Sequence, residues 1–554
     1  MSVVEIKNLK YRYPNAKELA LDGMNLAIEK GEFIGIVGAN GAGKSTLTQA
    51  IIGLVPQFYK GAYGGEVLVQ DASTGEMWKA EKVPVSSMCK NVGLVFQNPF
   101  NQLSGAKDSV YEEVAFGMQN LGIETKEMHE RTEEALKLLD IWEYRDRNPF
   151  DLSGGQMQRV AIASVLVMKP QVMILDEPTS QLDPEGTEEV FRVVDRLSKT
   201  GITIIMVEQK IEKMAAYCNR ILLMHKGKQV AFDTPGKIFS RDDLESYGVE
   251  APAFTRICKA NGVKLSDGTY PVTVESAGEL LRNITNISDL LKKEEKKDTD
   301  ETFEKYFDVN HLSFSYTEKV SIFEDLNLTL DARTTAIIGQ NGAGKTTLVK
   351  ILKGLLKPVK GEILFHGEDI SKKTVAMLAG NVGYVFQNPD DQIFKYKVID
   401  EVLFGPLNIG MDEKRAREKA KLALEMTGLL DKAEENPYDL ELNERKLVAI
   451  ASVLAMDTDV MILDEPTIAQ DVNGRRMIGE IIRKLRKEGK LVIAILHDMD
   501  FVAEYFERVV IMAKGKILAD GTPDEAFSQD EALKQARLQK PYKMLLGTFL
   551  LPRG

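Results

Sequence analysis

The chain has 554 residues, more than one ordinary domain needs, and with 44% hydrophobic and 28% charged residues it reads as globular rather than disordered or fibrous. A net charge of -12 argues against a nucleic-acid binder, and no apolar run reaches the ~18 residues that a membrane-spanning helix needs. The three cysteines, Cys89, Cys218 and Cys258, form no C-x-x-C pair, which excludes zinc ribbons and iron–sulfur clusters and reads as three buried thiols in a reducing compartment.

The first residues, MSVVEIKNLKYRY, alternate like a strand and lack the layout of a signal peptide, so the chain is expected to stay in the cytosol. The apolar run FIGIVG then leads into Gly38-Ala39-Asn40-Gly41-Ala42-Gly43-Lys44-Ser45-Thr46, which fits G-x-x-x-x-G-K-[ST]. The glycines let backbone N–H groups curl around a phosphate, and the helix that follows presents its positive end. Gly38, Asn40, Gly41, Gly43, Lys44, Ser45 and Thr46 are therefore candidate ATP contacts, with Lys44 on the β- and γ-phosphates and Ser45 on Mg²⁺. Next comes NVGLVFQNP, residues 91–99, which carries Gln97. In LSGGQMQRVAIA, residues 152–163, Ser153, Gly154 and Gly155 open a helix, with Gln156 behind them. A hydroxyl and free N–H groups at that positive end suit a phosphate, and the glycines allow close approach. VMILDE delivers Asp176 and Glu177 to a strand tip, the aspartate for the metal and the glutamate to polarise an attacking water. Residues 241–286 read as a small appendage with a turn at SDGTYP, and the charged stretch 287–305 as a solvated linker.

From about Tyr306 the chain repeats itself in the same order. AIIGQNGAGKTTL supplies Gly339, Asn341, Gly342, Gly344, Lys345, Thr346 and Thr347; NVGYVFQNP supplies Gln387; and a second VMILDE supplies Asp464 and Glu465. Thr346 and Asp464 are the second pair of candidate Mg²⁺ ligands. Apolar runs alternating with helical stretches predict an α/β parallel sheet in each half. The alternating openings VEIKNLKYRY and FDVNHLSFSY predict a flanking antiparallel sheet.

With LSGGQ lying between a P-loop and an acidic strand, the chain resembles the ABC ATPases over almost the whole of both halves. The resemblance implies two tandem P-loop NTPase domains, 1–240 and 306–554, each with a helical subdomain. It also implies head-to-tail pairing, in which ATP lies between one domain's P-loop and the other's signature. Gln97 and Gln387 then take the place of the glutamines that sense the γ-phosphate and Mg²⁺. Tyr13 and Tyr316 take that of the aromatic on adenine, and Asp183 and Asp471 that of the D-loop. Two departures stand out. The histidine expected after the last core strand is His497 in the second half but Gln209 in the first. The signature Ser153–Gln156 is matched in the second half by Glu441, Leu442, Asn443 and Glu444. A carboxylate ~5 Å from a phosphate is repulsive by roughly 3 kcal/mol at an effective dielectric of ~20. Under head-to-tail pairing both defects fall in one site. That leaves one hydrolytic site, with Glu465, His497 and the first signature, and one that mainly binds nucleotide around Glu177.

QNPFNQ followed by VYEEVAFG, and QNPDDQ followed by VIDEVLFG, resemble the ATPases of energy-coupling-factor (ECF-type) importers of the cobalt and vitamin group. That resemblance implies a transmembrane coupling (T-type) subunit, a small substrate-binding membrane subunit, and a place at the cytoplasmic face of the membrane. The alternatives are the ATPase of a conventional ABC transporter and a soluble tandem factor acting on ribosomes.

Overall fold

Short apolar runs bounded by glycine or charge form the central strands of both halves. The computed structural model describes residues 2–180, 182–282, 303–317 and 320–550. The expected linker 287–305 lies outside these residues apart from its last three. The chain divides into two units, residues 1–290 with 546–554, and residues 291–545.

In the first unit six strands lie in the order Lys228–Asp233, Arg220–His225, Phe33–Val37, Thr203–Val207, Val172–Asp176 and Val92–Val95. Only the first pair is antiparallel. Alternate side chains of these strands enter different cores. Ile34, Ile36, Val172, Ile174, Ile205 and Val207 pack with Leu47 and Ile51 of the helix after the P-loop. Phe33, Val37, Met173, Leu175, Ile204 and Met206 pack on the other face with Val160 and Phe191. Because both faces are covered, the runs are apolar without interruption. A four-stranded antiparallel sheet, Leu21–Glu29, Ser2–Arg12, Ala62–Gln70 and Met77–Lys79, closes the first core with Val4, Ile6, Leu9 and Tyr11. Helices Val110–Asn120, Thr125–Leu138 and Gly154–Leu166 send Val114, Leu136 and Val160 into the second core. The appendage carries helices Ala253–Ala260 and Val274–Leu281.

The second unit repeats this plan. Its six-stranded sheet runs Val382–Val385, Val460–Asp464, Leu491–Ile495, Thr335–Ile338, Arg508–Ala513 and Lys516–Gly521, with only the last pair antiparallel. Its antiparallel sheet is Val320–Asp331, Lys305–Thr317, Lys360–Phe365 and Glu368–Asp369. The helices Val398–Asn408, Glu413–Met426 and Leu442–Leu454 correspond to the three of the first unit.

Among the described residues no helix is long and apolar enough to cross a membrane. The expectation of three buried thiols needs one correction. Cys218 and Cys258 are buried, but Cys89 is half-exposed, because it caps a one-turn helix, and its thiol donates to the Ser86 carbonyl at 3.1 Å.

Candidate functional site

Each P-loop leaves a buried strand and turns into a helix through glycines that no other residue replaces at this geometry. Gly43 has φ +92°, and a Cβ there would sit 2.4 Å from the Ala20 carbonyl oxygen; at Gly344, with φ +98°, it would sit 2.7 Å from the Phe323 ring. Gly38, Gly41, Gly339 and Gly342 also hold positive φ. Helices Lys44–Ile51 and Lys345–Leu352 follow, with no acidic residue in either first turn. Their N–H ends are thus open to an anion. Lys44 Nζ donates to the Gly38 and Ala39 carbonyls, both at 2.9 Å, and Lys345 Nζ to those of Gly339 and Gln340 at 2.7 and 3.0 Å. Each ammonium therefore lies over its own loop. Asn40 and Asn341 lie within the loops, and Asn40 Oδ1 accepts from Gln209 Nε2 at 3.4 Å.

The acidic strands end at the same loops. Ser45 Oγ donates to Asp176 Oδ1 at 3.2 Å, and Thr346 Oγ1 to Asp464 Oδ1 at 3.4 Å. A hydroxyl and a carboxylate next to a phosphate cradle are hard oxygen donors of the kind Mg²⁺ takes, with substrate phosphate and water completing its shell. The residues present fit that ion. Tyr13 and Tyr316 share hydrogen bonds with Thr46 Oγ1 and Thr347 Oγ1, each at 3.2 Å. Both tyrosines thus lean over the helix that leaves the P-loop. Tyr316 is 54% exposed and packs edge-to-face with Phe314, whereas Tyr13 is half-buried against Tyr11 and Tyr59.

Glu177 and Glu465 stand in the left-handed region, with φ +46° and +50°. Such a backbone costs a non-glycine residue about 1–2 kcal/mol and is held only by its surroundings. Gln97 Nε2 donates to Glu177 Oε2 at 2.9 Å, and Gln387 Nε2 to Glu465 Oε2 at 2.7 Å. The other oxygen separates the halves. Glu177 Oε1 accepts from Gln209 at 3.1 Å, while Glu465 Oε1 bonds His497 Nε2 at 2.9 Å. Burial pushes the Glu177 carboxyl up to about 7; Lys44 and the Gln209 bond oppose the rise, and the Glu208 carboxylate adds to it. Glu208 is buried, and its place in the second half is taken by Leu496. Burial also disfavours the Glu465 carboxylate, but His497, Lys345 and Lys446 outweigh it and hold the group below its ordinary range. The first tip is thus carboxylate-rich and the second is balanced by cations.

The two signature helices also differ. Ser153 caps helix Gly154–Leu166 by accepting from Gln156 N at 3.4 Å, and Gln156 Oε1 accepts from Ser153 N at 3.0 Å. Ser153 and Gly154 are exposed. In the second half Glu444 Oε2 accepts from Glu441 N at 3.4 Å, and Glu444 also pairs with Lys432. The carboxylate sits in the first turn, where it favours the helix end and disfavours an incoming phosphate. Asp183 and Asp471 accept from Gly186 N and Gly474 N at 2.8 and 3.0 Å, capping helices Pro184–Ser198 and Val472–Lys487.

Several residues at the site escaped sequence reasoning. Tyr384 Oη donates to Asp464 Oδ2 at 2.8 Å, where the first half has Leu94. Lys446 Nζ donates to the Glu465 carbonyl at 2.8 Å, where the first half has Gln158. Both are differences between otherwise matching segments of the repeat, which is the signal that could have found them. The last glutamine of each QNPxxQ run has a task inside its own unit. Gln102 accepts from Phe96 N at 3.1 Å and donates to the Ala161 carbonyl at 2.8 Å; Gln392 accepts from Phe386 N at 3.1 Å and donates to the Ala449 carbonyl at 3.0 Å. Glu113 and Glu401, from VYEEVAFG and VIDEVLFG, are buried and accept from Ser104 N at 2.6 Å and from Phe394 N at 3.0 Å.

The sequence model of the family described as ABC transporter matches residues 21–180 and 323–468. A protein of Methanosarcina acetivorans carrying the name of an ABC transporter ATP-binding protein is 38% identical over 572 residues, 100% of this chain and 91% of its own length. Among solved structures, CbiO1 of Clostridium perfringens, described as part of the ABC transporter complex CbiONQ, is 34% identical over 44% of this chain and 100% of its own, with a TM-score of 0.39. The archaeal ribosome recycling factor aABCE1, solved with the ribosomal stalk protein aP1, is 20% identical over 94% of this chain and 91% of its own, with a TM-score of 0.59. That last likeness is one of fold.

Proposed function

The chain belongs to the ABC transporter family, whose ATP-binding proteins are ATPases, and from that premise we propose that it is the energy-coupling ATPase of an ECF-type importer with two unequal sites. The halves pair head to tail. The second P-loop, with Glu465 and His497, meets the signature Ser153–Gln156 and hydrolyses ATP. The first P-loop, with Glu177 and Gln209, meets Glu441–Glu444 and mainly holds nucleotide.

The observation that carries the unequal sites is the contrast between the two glutamates. Glu465 is ionised, with one carboxylate oxygen on His497 and the other on Gln387. Its remaining lone pairs are fixed to orient a water and take its proton. Glu177, pushed up to about 7 beside the buried Glu208, is partly protonated at neutral pH and has the neutral Gln209 amide where Glu465 has His497. Lys345, the loop N–H groups and the exposed N-terminus of helix Gly154–Leu166 neutralise phosphate charge. Thr346 and Asp464 would hold Mg²⁺, which would supply further charge neutralisation on the phosphate oxygens.

The importer assignment rests on the QNPxxQ segments and the runs VYEEVAFG and VIDEVLFG. Part of their pattern also has local causes, since Gln102, Gln392, Glu113 and Glu401 each fix their own loop. The partners are a transmembrane coupling subunit and a small substrate-binding membrane subunit, which place the chain at the cytoplasmic membrane face. The test is to isolate the tagged chain from membranes in mild detergent. One transmembrane scaffold with small hydrophobic subunits supports the importer. A pair of large permease domains assigns a conventional transporter, and recovery with ribosomes alone rejects transport. The unequal sites are tested separately, by ATPase rates of Glu465→Gln and Glu177→Gln. The first should abolish turnover and the second should be mild; equal loss overturns the reading.

A further inference from the structure

The helix that begins with the degenerate signature contains a charge with no counterpart in the first half. Lys446 lies on helix Leu442–Leu454, one turn past Leu442, and is only 5% exposed. A buried ammonium is costly unless it is paired, so its position needs a physical reason. Its Nζ donates at 2.8 Å to the backbone carbonyl of Glu465. The corresponding Gln158 is 1% exposed, and its Nε2 finds no hydrogen-bond partner among the described residues. The same helix therefore supports the acidic tip in one half and not in the other.

The contact falls on a strained backbone. Glu465 has φ +50°, its N–H donates to the Ile495 carbonyl at 3.1 Å, and Gln387 and His497 hold the two carboxylate oxygens. Its carbonyl also accepts from Ile468 N, but at 3.5 Å, a weak bond; in the first half Glu177 O has the comparable bond from Ser180 N at 3.3 Å. Lys446 adds a short, charge-assisted bond to the one backbone group otherwise poorly held, and such bonds are about twice as strong as neutral ones. Gln470 ties the start of this helix to the segment after the strand, since its Nε2 donates to the Asn443 carbonyl at 2.9 Å. The helix is thus fastened to the acidic tip at two points. Its N-terminus is filled by Glu444, so its remaining chemistry faces its own half.

We infer that Lys446 is a positioning residue for Glu465, and that the helix bearing the degenerate signature supports hydrolysis within its own half instead of gripping phosphate across to the other. This rests on the reading of Glu465 as the residue that activates water. A neutral residue at 446 leaves the P-loop intact, so ATP still binds, while the carboxylate loses its fixed orientation and a nearby positive charge. A misplacement of the order of 1 Å at a reacting group costs up to about a hundredfold in rate.

The experiment measures kcat and KM for MgATP hydrolysis by the full chain carrying Lys446→Met, Lys446→Gln or Lys446→Arg, together with affinity for a fluorescent ATP analogue. Lys446→Gln introduces the residue that the first half already buries at this place, so it serves if the methionine variant folds poorly. The expected result is a fall in kcat of about tenfold or more in the Met and Gln variants, with KM and affinity within about threefold and substantial recovery in Lys446→Arg. Wild-type kcat in both neutral variants overturns the assignment. So does a loss that appears in KM, or an equal loss in Lys446→Arg. If Glu465→Gln itself keeps turning over, the reading of Glu465 and that of Lys446 fall together. If Glu465→Gln is inactive while Lys446→Met and Lys446→Gln keep wild-type kcat, only Lys446 falls.

Discussion

His497 stands where the first half has Gln209, and the exchange alters what it costs to keep a buried glutamate charged. A glutamine offers Glu177 one neutral donor, whereas a histidine beside Glu465 can carry a compensating charge. His497→Gln is expected to lower kcat by about a hundredfold, the range of a lost proton-transfer partner, with ATP affinity nearly unchanged. Steady-state kinetics beside nucleotide titration will check it. Gln209→His should not by itself restore the balance of the second tip, because Glu208 remains beside Glu177. The glycine at the P-loop turn allows a harsher prediction. Gly43→Ala places a Cβ against the Ala20 carbonyl in a left-handed backbone, and a residue held that way costs of the order of 1–3 kcal/mol. The variant should melt several degrees lower and lose ATP-dependent stabilisation at the first P-loop, which thermal melts with and without ATP will show.

Among the elements, the segment after each Q-loop glutamine is joined to the signature helix of its own unit by the last glutamine of the QNPxxQ run, and in the second unit also by Arg445, which pairs with Asp390 at 3.0 Å. Gln102 reaches Ala161 O, and Gln392 reaches Ala449 O, while each also accepts from the backbone beside the Q-loop. Gln392→Ala should therefore loosen the loop from the helix, leaving the Arg445–Asp390 pair as the remaining tie, and lower turnover several-fold with little change in ATP affinity. A variant with a wild-type rate would show the bridge to be dispensable. A second element contact has a pH signature. Asp457 follows helix Leu442–Leu454 and accepts from Lys490, before the strand Leu491–Ile495, and from Lys419 on helix Glu413–Met426, at 2.6 Å for the latter. Burial alone would raise its pKa, but the two lysines outweigh it and hold the carboxyl down at about 2. The folded value lies below the unfolded one, so its stabilisation is full above about pH 4 and is lost as pH falls through about 2. Asp457→Asn should cost of the order of 1–2 kcal/mol at pH 7, and the gap from wild type should shrink as melts are taken below pH 4. None of these links was legible in the sequence, because each joins residues far apart in the chain through a side chain whose type is unremarkable. The elements themselves were legible, since a buried parallel strand needs an unbroken apolar run and a P-loop helix needs glycine at its start.

For the whole molecule, duplication made the site readable: each segment could be compared with its copy, which exposed His497 against Gln209 and the Glu441–Glu444 start against Ser153–Gln156. The same comparison carried the signals for Tyr384 and Lys446, but a tyrosine in a strand and a lysine on a helix look like packing and surface until burial is known. If both P-loops bind nucleotide, the Glu465→Gln chain should hold two nucleotides without releasing product. Lys44→Ala added to it should leave one, counted by equilibrium dialysis. Saturation at about a hundred times Kd stabilises a binding-competent chain by about 2.7 kcal/mol, so melts with ATP give an independent count.

Glu177 and Glu465 both sit where glycine would be at ease. Replacing either by glycine relaxes the backbone but strands the donors that now bond the carboxylate, Gln97 and Gln209 in one half and Gln387 and His497 in the other. Any heat resistance gained at 465 would come with a silent motor. Laboratory evolution of this chain should therefore select on hydrolysis from its first round.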